Sequence, residues 1–380
     1  MDALQSLREW ANKVRKRLYK QKRRPQPIYQ GTPSGVDFDL LNDLSRKYFD
    51  RPAASISYQH LSAWKTSGAF RIFLRCNVGK TVPLIFKESV YSQEEIPALI
   101  SFPVQPGPAE FAVLSNPQAP LSDFLPQVYL AEEIAPNRHY RYILEDLGQA
   151  YHQAHGQTEV LRAARLLPGF QEALYTWANT YRPAGLIQYG RAFSTALIPY
   201  THKNLEHFAR RNNTEHIRQV LHHWNAICDV YLQDEFFAAP SSAVHGDSNY
   251  TNVHLHNQEP QRMKLVDWEW AGYGLPCADL VSLLKGTSGE LERNGYLTYL
   301  ESRAEQARLN AGTQGWIDCE ESPDQHRRKL LWCQLERGLI DAGFLAAQYL
   351  GTNNTPSFSL PKAVFQSIRR VLHAYQQLAG

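Results

Sequence analysis

The sequence has few of the features that mark a secreted or membrane-spanning protein. Its five cysteines are odd in number, lie far apart and include no Cys-x-x-Cys pair, which argues against a disulfide framework and a zinc site. No apolar run reaches the length that a bilayer requires, and the first ten residues lack the basic and then apolar order of a signal peptide. These absences predict a reduced, cytoplasmic compartment.

The sequence also has little net charge. Its 40 basic side chains oppose 37 acidic ones, which gives +3 over 380 residues and no reason to expect a nucleic acid partner. The exception is the dense basic run KVRKRLYKQKRR at 13–24, where apolar residues recur at helical spacing. Residues 1–50 are therefore interpreted as an amphipathic basic helix with a lead-in. That helix either touches an anionic surface or packs one stripe on the rest of the protein.

Apolar and aromatic residues are plentiful, and their spacing divides the rest of the chain into two parts. Strand-like runs form two pairs, AFRIFLRCNV with TVPLIFKESV (69–90) and FLPQVYLAEEI with HYRYILEDLG (124–148). Later segments carry apolar residues three and four apart, which is typical of helices; they are 170–181, 215–237, 326–350 and 362–379. The pattern predicts an α+β fold, with a small mixed N-lobe over 51–148 and a larger helical C-lobe over 149–380.

A hairpin with polar residues at its base interrupts the helical part. The short strand-like runs NVHLH and MKLVDWEW are joined by NQEPQR, with Asp247 before the hairpin, Asn252 at the start of its first run and Asp267 in its second run. Phosphoryl transfer requires such a set, because it needs a carboxylate that accepts a hydroxyl proton and hard oxygen ligands for Mg²⁺. Asp247 is therefore a candidate general base, and Asn252 and Asp267 are candidate magnesium ligands that the hairpin is expected to bring together.

The stretch HGDSNYTN…VDWEWAGYGLPCADL (245–280) resembles the aminoglycoside phosphotransferase and choline kinase-like family. The family pattern is His-Gly-Asp-x-x-x-x-Asn, then Asp-Trp/Phe-Glu, then Gly-x-x-x-x-Asp-Leu, and every element is matched. The resemblance implies a bilobal protein-kinase-like fold. It also implies an ATP- and Mg²⁺-dependent enzyme that phosphorylates a hydroxyl group of a small molecule. His245 and Asp279 are expected to support the catalytic loop.

The resemblance extends over about residues 55–350 and implies a nucleotide site. The strand lysine of LIFKE would bind phosphate, and a glutamate of the following helix would pair with it. The segment KTSGAFR holds only one glycine where the family has a phosphate loop, and YILEDLG would be the hinge whose backbone meets adenine. The residues that the resemblance assigns to the nucleotide are Lys87, Glu110, Ser67, Gly68, Glu145 and Leu147.

Two departures from protein kinases favour a small acceptor. Gly246 stands where protein kinases have an arginine that binds an activation-segment phosphate. Only eleven residues separate Asp267 from Asp279, which leaves no room for an activation segment. The acceptor is therefore predicted to be a small molecule rather than a peptide.

Other interpretations stay open. The poor glycine loop is compatible with a nucleotide-binding pseudokinase or scaffold without turnover. A transition-metal hydrolase is a second alternative, with ligands drawn from His245, Asp247, His254 and His256. An acidic and aromatic patch in GWIDCEESPD (315–324) either binds a cationic acceptor or is a solvated loop. The residues of this patch are Trp316, Asp318, Glu320 and Glu321.

Overall fold

A computed structural model of the protein describes residues 27–64, 67–77, 79–90, 106–212, 214–238, 242–309, 322–351 and 359–379. The predicted basic helix at 13–24 and the four candidate acceptor residues at 316–321 lie outside these ranges. The chain divides into two compact units, Met1–Glu88 and Ser89–Gly380. In the part of the chain that is described, no helix is long and apolar enough to cross a bilayer.

The first unit holds a helix and strands that follow one another in a sheet in chain order, and the last of these strands continues two residues beyond Glu88. The elements are β1 (Ile28–Gln30), α1 (Phe38–Phe49), β2 (Ala53–Trp64), β3 (Ser67–Cys76) and β4 (Thr81–Val90). Asp37 caps α1, because its side chain accepts a hydrogen bond from the Asp39 backbone N–H at 3.1 Å. Between β3 and β4, Gly79 adopts φ +80°, which a tight turn requires. Both predicted strands of this pair are confirmed.

The second unit begins with a helix and a β-hairpin. Helix α2 spans Pro106–Leu114, and strands β5 (Val128–Ala135) and β6 (His139–Glu145) pair antiparallel. Side chains of β6 pack inward, so that Tyr140, Tyr142 and Ile143 are fully buried. The second predicted strand pair is therefore confirmed.

Helices make up most of the second unit. They are α3 (Gln157–Tyr181), α4 (Arg191–Arg211), α5 (Glu215–His222), α6 (Trp224–Tyr231), α7 (Asp234–Ala238), α8 (Cys277–Leu283), α9 (Gly289–Leu309), α10 (Pro323–Gly351) and α11 (Ser359–Ala379). Helix α10 packs on α4, α8 and α11, and α9 packs on α3. The predicted helices at 170–181, 326–350 and 362–379 are confirmed, and the first is longer than predicted.

The prediction of one helix over 215–237 is wrong. The chain forms three short helices there, because it turns at His223 and again at Leu232. The His223 backbone N–H still donates to the Gln219 carbonyl at 3.0 Å, so this turn keeps a helix-like hydrogen bond. Since the apolar spacing continues through both turns, the sequence pattern could not reveal the breaks.

Two small sheets surround the segment that carries the candidate catalytic residues. One consists of β7 (Tyr151–Gln153), β10 (Val253–His256) and β11 (Met263–Leu265); the other consists of β8 (Ile187–Gln188), β9 (Ser242–Val244) and β12 (Gly272–Gly274). Strands β10 and β11 pair antiparallel, with Val253 opposite Leu265, which confirms the predicted hairpin. The second strand ends earlier than predicted, because Asp267 adopts φ +67° and the chain continues as a 3₁₀ turn over Trp268–Trp270.

Candidate active site

The loop that follows β9 is held by a buried carboxylate on α8. Asp279 accepts hydrogen bonds from the backbone N–H groups of His245 (3.1 Å) and Gly246 (2.9 Å) and from the Ser248 hydroxyl (3.1 Å). The side chain is fully buried, and this burial raises the pKa of Asp279 to about 6 despite these donors. Asp279 therefore holds two consecutive backbone N–H groups of the loop, those of His245 and Gly246.

Gly246 occupies a position that admits no side chain. Its φ is +77°, and a Cβ atom there would overlap the Trp270 carbonyl oxygen and lie 2.9 Å from the Tyr189 hydroxyl. That hydroxyl donates to the same carbonyl at 2.8 Å. The absence of the arginine found in protein kinases is therefore a steric requirement of this loop.

His245 connects the loop to the β10–β11 hairpin. Its Nε2 lies 3.1 Å from the Val266 carbonyl oxygen, and its Nδ1 accepts the Asp247 backbone N–H at 3.3 Å. Full burial lowers the pKa of His245 to about 4, so the imidazole is neutral at pH 7. A neutral ring that donates from Nε2 and accepts at Nδ1 satisfies both contacts.

Both oxygens of the Asp247 carboxylate have hydrogen-bond donors. The Asn252 amide lies 3.2 Å from Oδ2 and also donates to the Asp247 carbonyl at 2.9 Å. On the other side, the Arg337 guanidinium donates to Oδ1 at 2.7 Å. The Ser282 hydroxyl lies 3.4 Å from the same oxygen. The carboxylate is half-buried and held in one orientation.

Arg337 is a residue that the sequence interpretation missed. It lies on α10, and its second terminal nitrogen donates to the Gly246 carbonyl at 2.7 Å. No motif surrounds it, because the catalytic loop is 90 residues away in sequence. The available signal was the pair Arg337 and Asp341, four residues apart in the apolar segment RGLIDAGF, since charged side chains buried in such a segment are almost always paired.

The hairpin brings the two candidate magnesium ligands to the same end of β10 and β11. The Val266 backbone N–H donates to the Asn252 carbonyl at 3.0 Å, so Asp267 follows directly on a residue paired with Asn252. Asn252 is buried, whereas Asp267 is exposed. An amide oxygen and a carboxylate are hard ligands, and this donor set fits Mg²⁺.

The transition-metal alternative finds no support in the structure. Among the described residues, no three His, Cys, Asp or Glu side chains are arranged to hold a metal ion. His254 and His256 lie on β10, where burial lowers the pKa of His254 and His256 Nδ1 accepts the Glu259 backbone N–H at 2.9 Å. These histidines belong to the hairpin and its connecting loop.

Three of the residues assigned to the nucleotide lie in the second unit. Glu110 is 1% exposed on α2, which packs against the 3₁₀ turn directly after Asp267. Glu145 ends β6, and its Oε2 accepts from Lys264 Nζ at 2.6 Å and from the Gln127 backbone N–H at 3.0 Å. Leu147 is buried, and its carbonyl accepts the Tyr151 N–H at 2.9 Å. The Glu145 side chain is thus occupied within the protein.

The other three nucleotide candidates lie in the first unit. Lys87 is half-buried on β4, next to the fully buried Phe86. Ser67 and Gly68 begin β3, opposite Trp64 and Ala63 of β2, so the described residues place them on a strand at the base of the β2–β3 connection.

Comparison with known proteins places the chain among phosphotransferases. Residues 119–311, just over half of the chain, match the model of the phosphotransferase enzyme family. No curated protein sequence matches the chain.

Similar solved structures include small-molecule kinases. A thermostable mutant of aminoglycoside phosphotransferase APH(4)-Ia is 15% identical, with a TM-score of 0.54 over 89% of this chain and 99% of that one. The choline kinase of Cryptosporidium parvum Iowa II is 11% identical, with a TM-score of 0.55 over 90% and 96%. Spectinomycin phosphotransferase APH(9)-Ia, in complex with ADP and spectinomycin, is 11% identical, with a TM-score of 0.52 over 90% and 100%. At these identities the likeness shows the fold, and the predicted kinase-like α+β architecture is confirmed.

Proposed function

The chain belongs to the phosphotransferase enzyme family, and from that premise we propose that it transfers the γ-phosphoryl group of ATP to a hydroxyl group of a small molecule. The observation that carries the proposal is the arrangement around Asp247. Its carboxylate has donors on both oxygens, and the Asn252 backbone pairs with Val266, the residue before Asp267. Phosphoryl transfer requires a positioned carboxylate and hard oxygen ligands for a metal ion.

In the proposed reaction, Asp247 orients the acceptor hydroxyl and accepts its proton. The acceptor oxygen forms a bond to the γ-phosphorus as the bond from that phosphorus to the bridging β–γ oxygen breaks, and ADP leaves. Asn252 and Asp267 would hold Mg²⁺, which neutralises phosphate charge when bound. His245 and Asp279 keep the loop backbone in place through the hydrogen bonds given above.

The nucleotide contacts are proposed from the family pattern. The Lys87 ammonium would contact phosphate oxygens, and Glu110 would keep the supporting role that the family pattern gives to a glutamate of the following helix. The backbone of Ser67 and Gly68 would lie near the phosphates. Backbone groups of the segment from Glu145 to Leu147 would meet the adenine ring, a role left to the backbone because the Glu145 side chain is engaged by Lys264. The cytoplasm is the compartment proposed, because it supplies ATP and keeps thiols such as the free Cys76, Cys277 and Cys333 reduced.

The acceptor is proposed to be an amino-sugar, an amino-alcohol or a biosynthetic intermediate with a free hydroxyl. What supports this class is that the structural neighbours include a choline kinase, an ethanolamine kinase and a spectinomycin phosphotransferase. Two further neighbours are GDP complexes of an aminoglycoside phosphotransferase, so GTP belongs in the assay beside ATP.

Asp247→Asn is the variant that tests the proposed base. The substitution keeps the size of the side chain and removes its ability to accept a proton. We expect turnover with an acceptor panel of aminoglycosides, choline, ethanolamine, homoserine and sugars to fall by about 10²- to 10⁴-fold. Nucleotide affinity, measured by calorimetry, should stay nearly unchanged. Asp267→Ala, in contrast, should lose Mg²⁺-dependent nucleotide binding.

The matched control is Asp234→Asn, which removes only a surface ion pair with Arg191. It should leave turnover unchanged. Full activity of Asp247→Asn would refute the proposed mechanism. Nucleotide binding by the wild-type protein without turnover of any acceptor would contradict the proposed phosphotransferase activity and favour a nucleotide-binding scaffold.

A further inference from the structure

Helix α10 supplies a buried arginine, Arg337, that contacts the proposed base Asp247. This arginine takes no chemical step in the proposed reaction. The Arg337 side chain is 13% exposed. Its guanidinium makes three contacts to three different groups: Nε to Asp341 Oδ1 (3.1 Å), one terminal nitrogen to the Gly246 carbonyl (2.7 Å) and the other to Asp247 Oδ1 (2.7 Å). All three nitrogens are therefore engaged within the protein.

Asp341, which holds the inner end of the guanidinium, is itself fixed from two further elements. Lys285, just after α8, lies 2.7 Å from Asp341 Oδ2, and Arg370 on α11 lies 3.7 Å from the same oxygen. Asp341 is 6% exposed; burial alone would raise its pKa, but Arg337 and Lys285 hold the pKa below its usual range. The anchor is therefore a charged carboxylate bound by cations from three elements.

We propose that Arg337 is a positioning residue for Asp247. Its planar fork holds one carboxylate oxygen and the preceding carbonyl at once, which keeps the carboxylate in a single orientation toward the acceptor hydroxyl. This role rests on the proposed function of Asp247 as general base. A lysine could not reproduce it, because a single ammonium lacks the fixed fork that addresses both acceptors.

The steric requirement at Gly246 explains why the cation beside Asp247, Arg337, is supplied by a helix and not by the neighbouring loop residue. No side chain fits at position 246, so a cation beside Asp247 must reach it from elsewhere in the fold. The contact is made from α10 through the Asp341 anchor, and α8 and α11 are thereby connected to the catalytic loop. Three of the five N–H donors of Arg337 are used on protein oxygens, so the orientation of its guanidinium is fixed within the protein.

The test compares Arg337→Gln, Arg337→Lys and Arg328→Gln. Arg328 lies on the same helix and pairs with the exposed Glu235 at 2.6 Å, so its variant controls for loss of an α10 ion pair. Transfer is measured as ADP release from Mg·ATP with the acceptor panel defined above. We expect Arg337→Gln to lower kcat by about 10²-fold, the usual effect of a small misplacement of a catalytic group, with KM for ATP nearly unchanged. The lysine variant should recover only part of the loss.

A double variant separates positioning from general stability. In the Asp247→Asn background, Arg337→Gln should lower the residual rate no further, because its effect passes through the missing carboxylate. Equal losses of kcat in both backgrounds, or an unchanged kcat in Arg337→Gln and Arg337→Lys, would overturn the proposal while leaving the general base intact. No transfer by the wild-type protein would instead refute the proposed function, and the positioning role with it.

A urea-unfolding cycle keeps the contact itself testable when a variant folds poorly. The midpoints of Asp247→Asn, Arg337→Gln and the double variant are compared with that of the wild type. Once one partner is replaced, replacing the other should lower the midpoint clearly less than the first replacement did. The reason is that a single variant leaves one buried charge without its partner, whereas the double variant removes both charges. Strictly additive midpoint shifts would show that the two side chains are not coupled and would overturn the proposal.

Discussion

Replacement of Glu336 by glutamine is expected to stabilise the protein at neutral and alkaline pH. Glu336 is 5% exposed on α10, and its Oε1 accepts the Tyr231 hydroxyl at 3.0 Å. Burial raises the pKa of Glu336 to about 7, although Tyr231 and Arg337 act in the opposite direction. Glutamine has the same shape and carries no charge, so it removes the need to ionise a buried carboxyl.

The sign and size follow from the two pKa values of this group. The folded pKa of about 7 lies above the ordinary pKa of 4.5 that the unfolded chain retains, so between these values the folded state holds the proton and the unfolded state does not. The resulting stability is complete below about pH 4.5 and is lost as the pH rises through 7. At about 1.4 kcal/mol per pH unit, the loss in the free energy of unfolding is on the order of 3 kcal/mol.

Urea unfolding of the wild type, Glu336→Gln and the control Glu235→Gln between pH 5 and 8 measures this loss. We expect Glu336→Gln and the wild type to be similar near pH 5, and the variant to be the more stable by about 3 kcal/mol at pH 8. The buried His245 and His326, whose pKa values lie near 4, titrate in both proteins and cancel in the difference. A difference that stays constant from pH 5 to 8 would refute the reasoning.

Two further substitutions probe the loop. Gly246→Ala should lower the free energy of unfolding by several kcal/mol and abolish transfer, because its Cβ would overlap the Trp270 carbonyl oxygen. The control is Gly79→Ala, where φ is similar but no atom lies near the new Cβ. It should cost only about 1–2 kcal/mol in thermal or urea unfolding. Asp279→Asn should lower the free energy of unfolding by about 1–3 kcal/mol and reduce kcat, because an amide has only one acceptor oxygen for the N–H groups of His245 and Gly246. Unchanged stability and kcat would contradict the proposal that Asp279 supports the loop.

The sequence predicted those parts of the protein that depend on local spacing. The Asn252 backbone pairs with Val266, directly before Asp267, because the intervening residues form a hairpin, and hairpins are visible in short strand-like runs joined by a turn. The strand pairs and the long helices were predictable for the same reason. The end of β11 was not, because the aromatic WEW segment suits a strand and only the left-handed backbone of Asp267 ends it.

Contacts between distant elements were beyond the sequence pattern. Arg337 reaches Asp247 across 90 residues, and the hydrophobic periodicity of α10 places it in a helix without naming its partner. The division of 215–237 into three helices was invisible as well, since turns at His223 and Leu232 do not interrupt apolar spacing. Such features are set by which helices pack together, and that information lies in tertiary structure.

The most direct test of the central claim is detection of the phosphorylated acceptor itself. Wild-type protein and Asp247→Asn are incubated with Mg·ATP and the acceptor panel, and the products are analysed by mass spectrometry. The account predicts that one class of hydroxyl compound gains a single phosphoryl group with the wild type and not with Asp247→Asn, while both proteins still bind ATP. The same product in equal yield from both proteins, or no phosphorylated acceptor from the wild type, would contradict it.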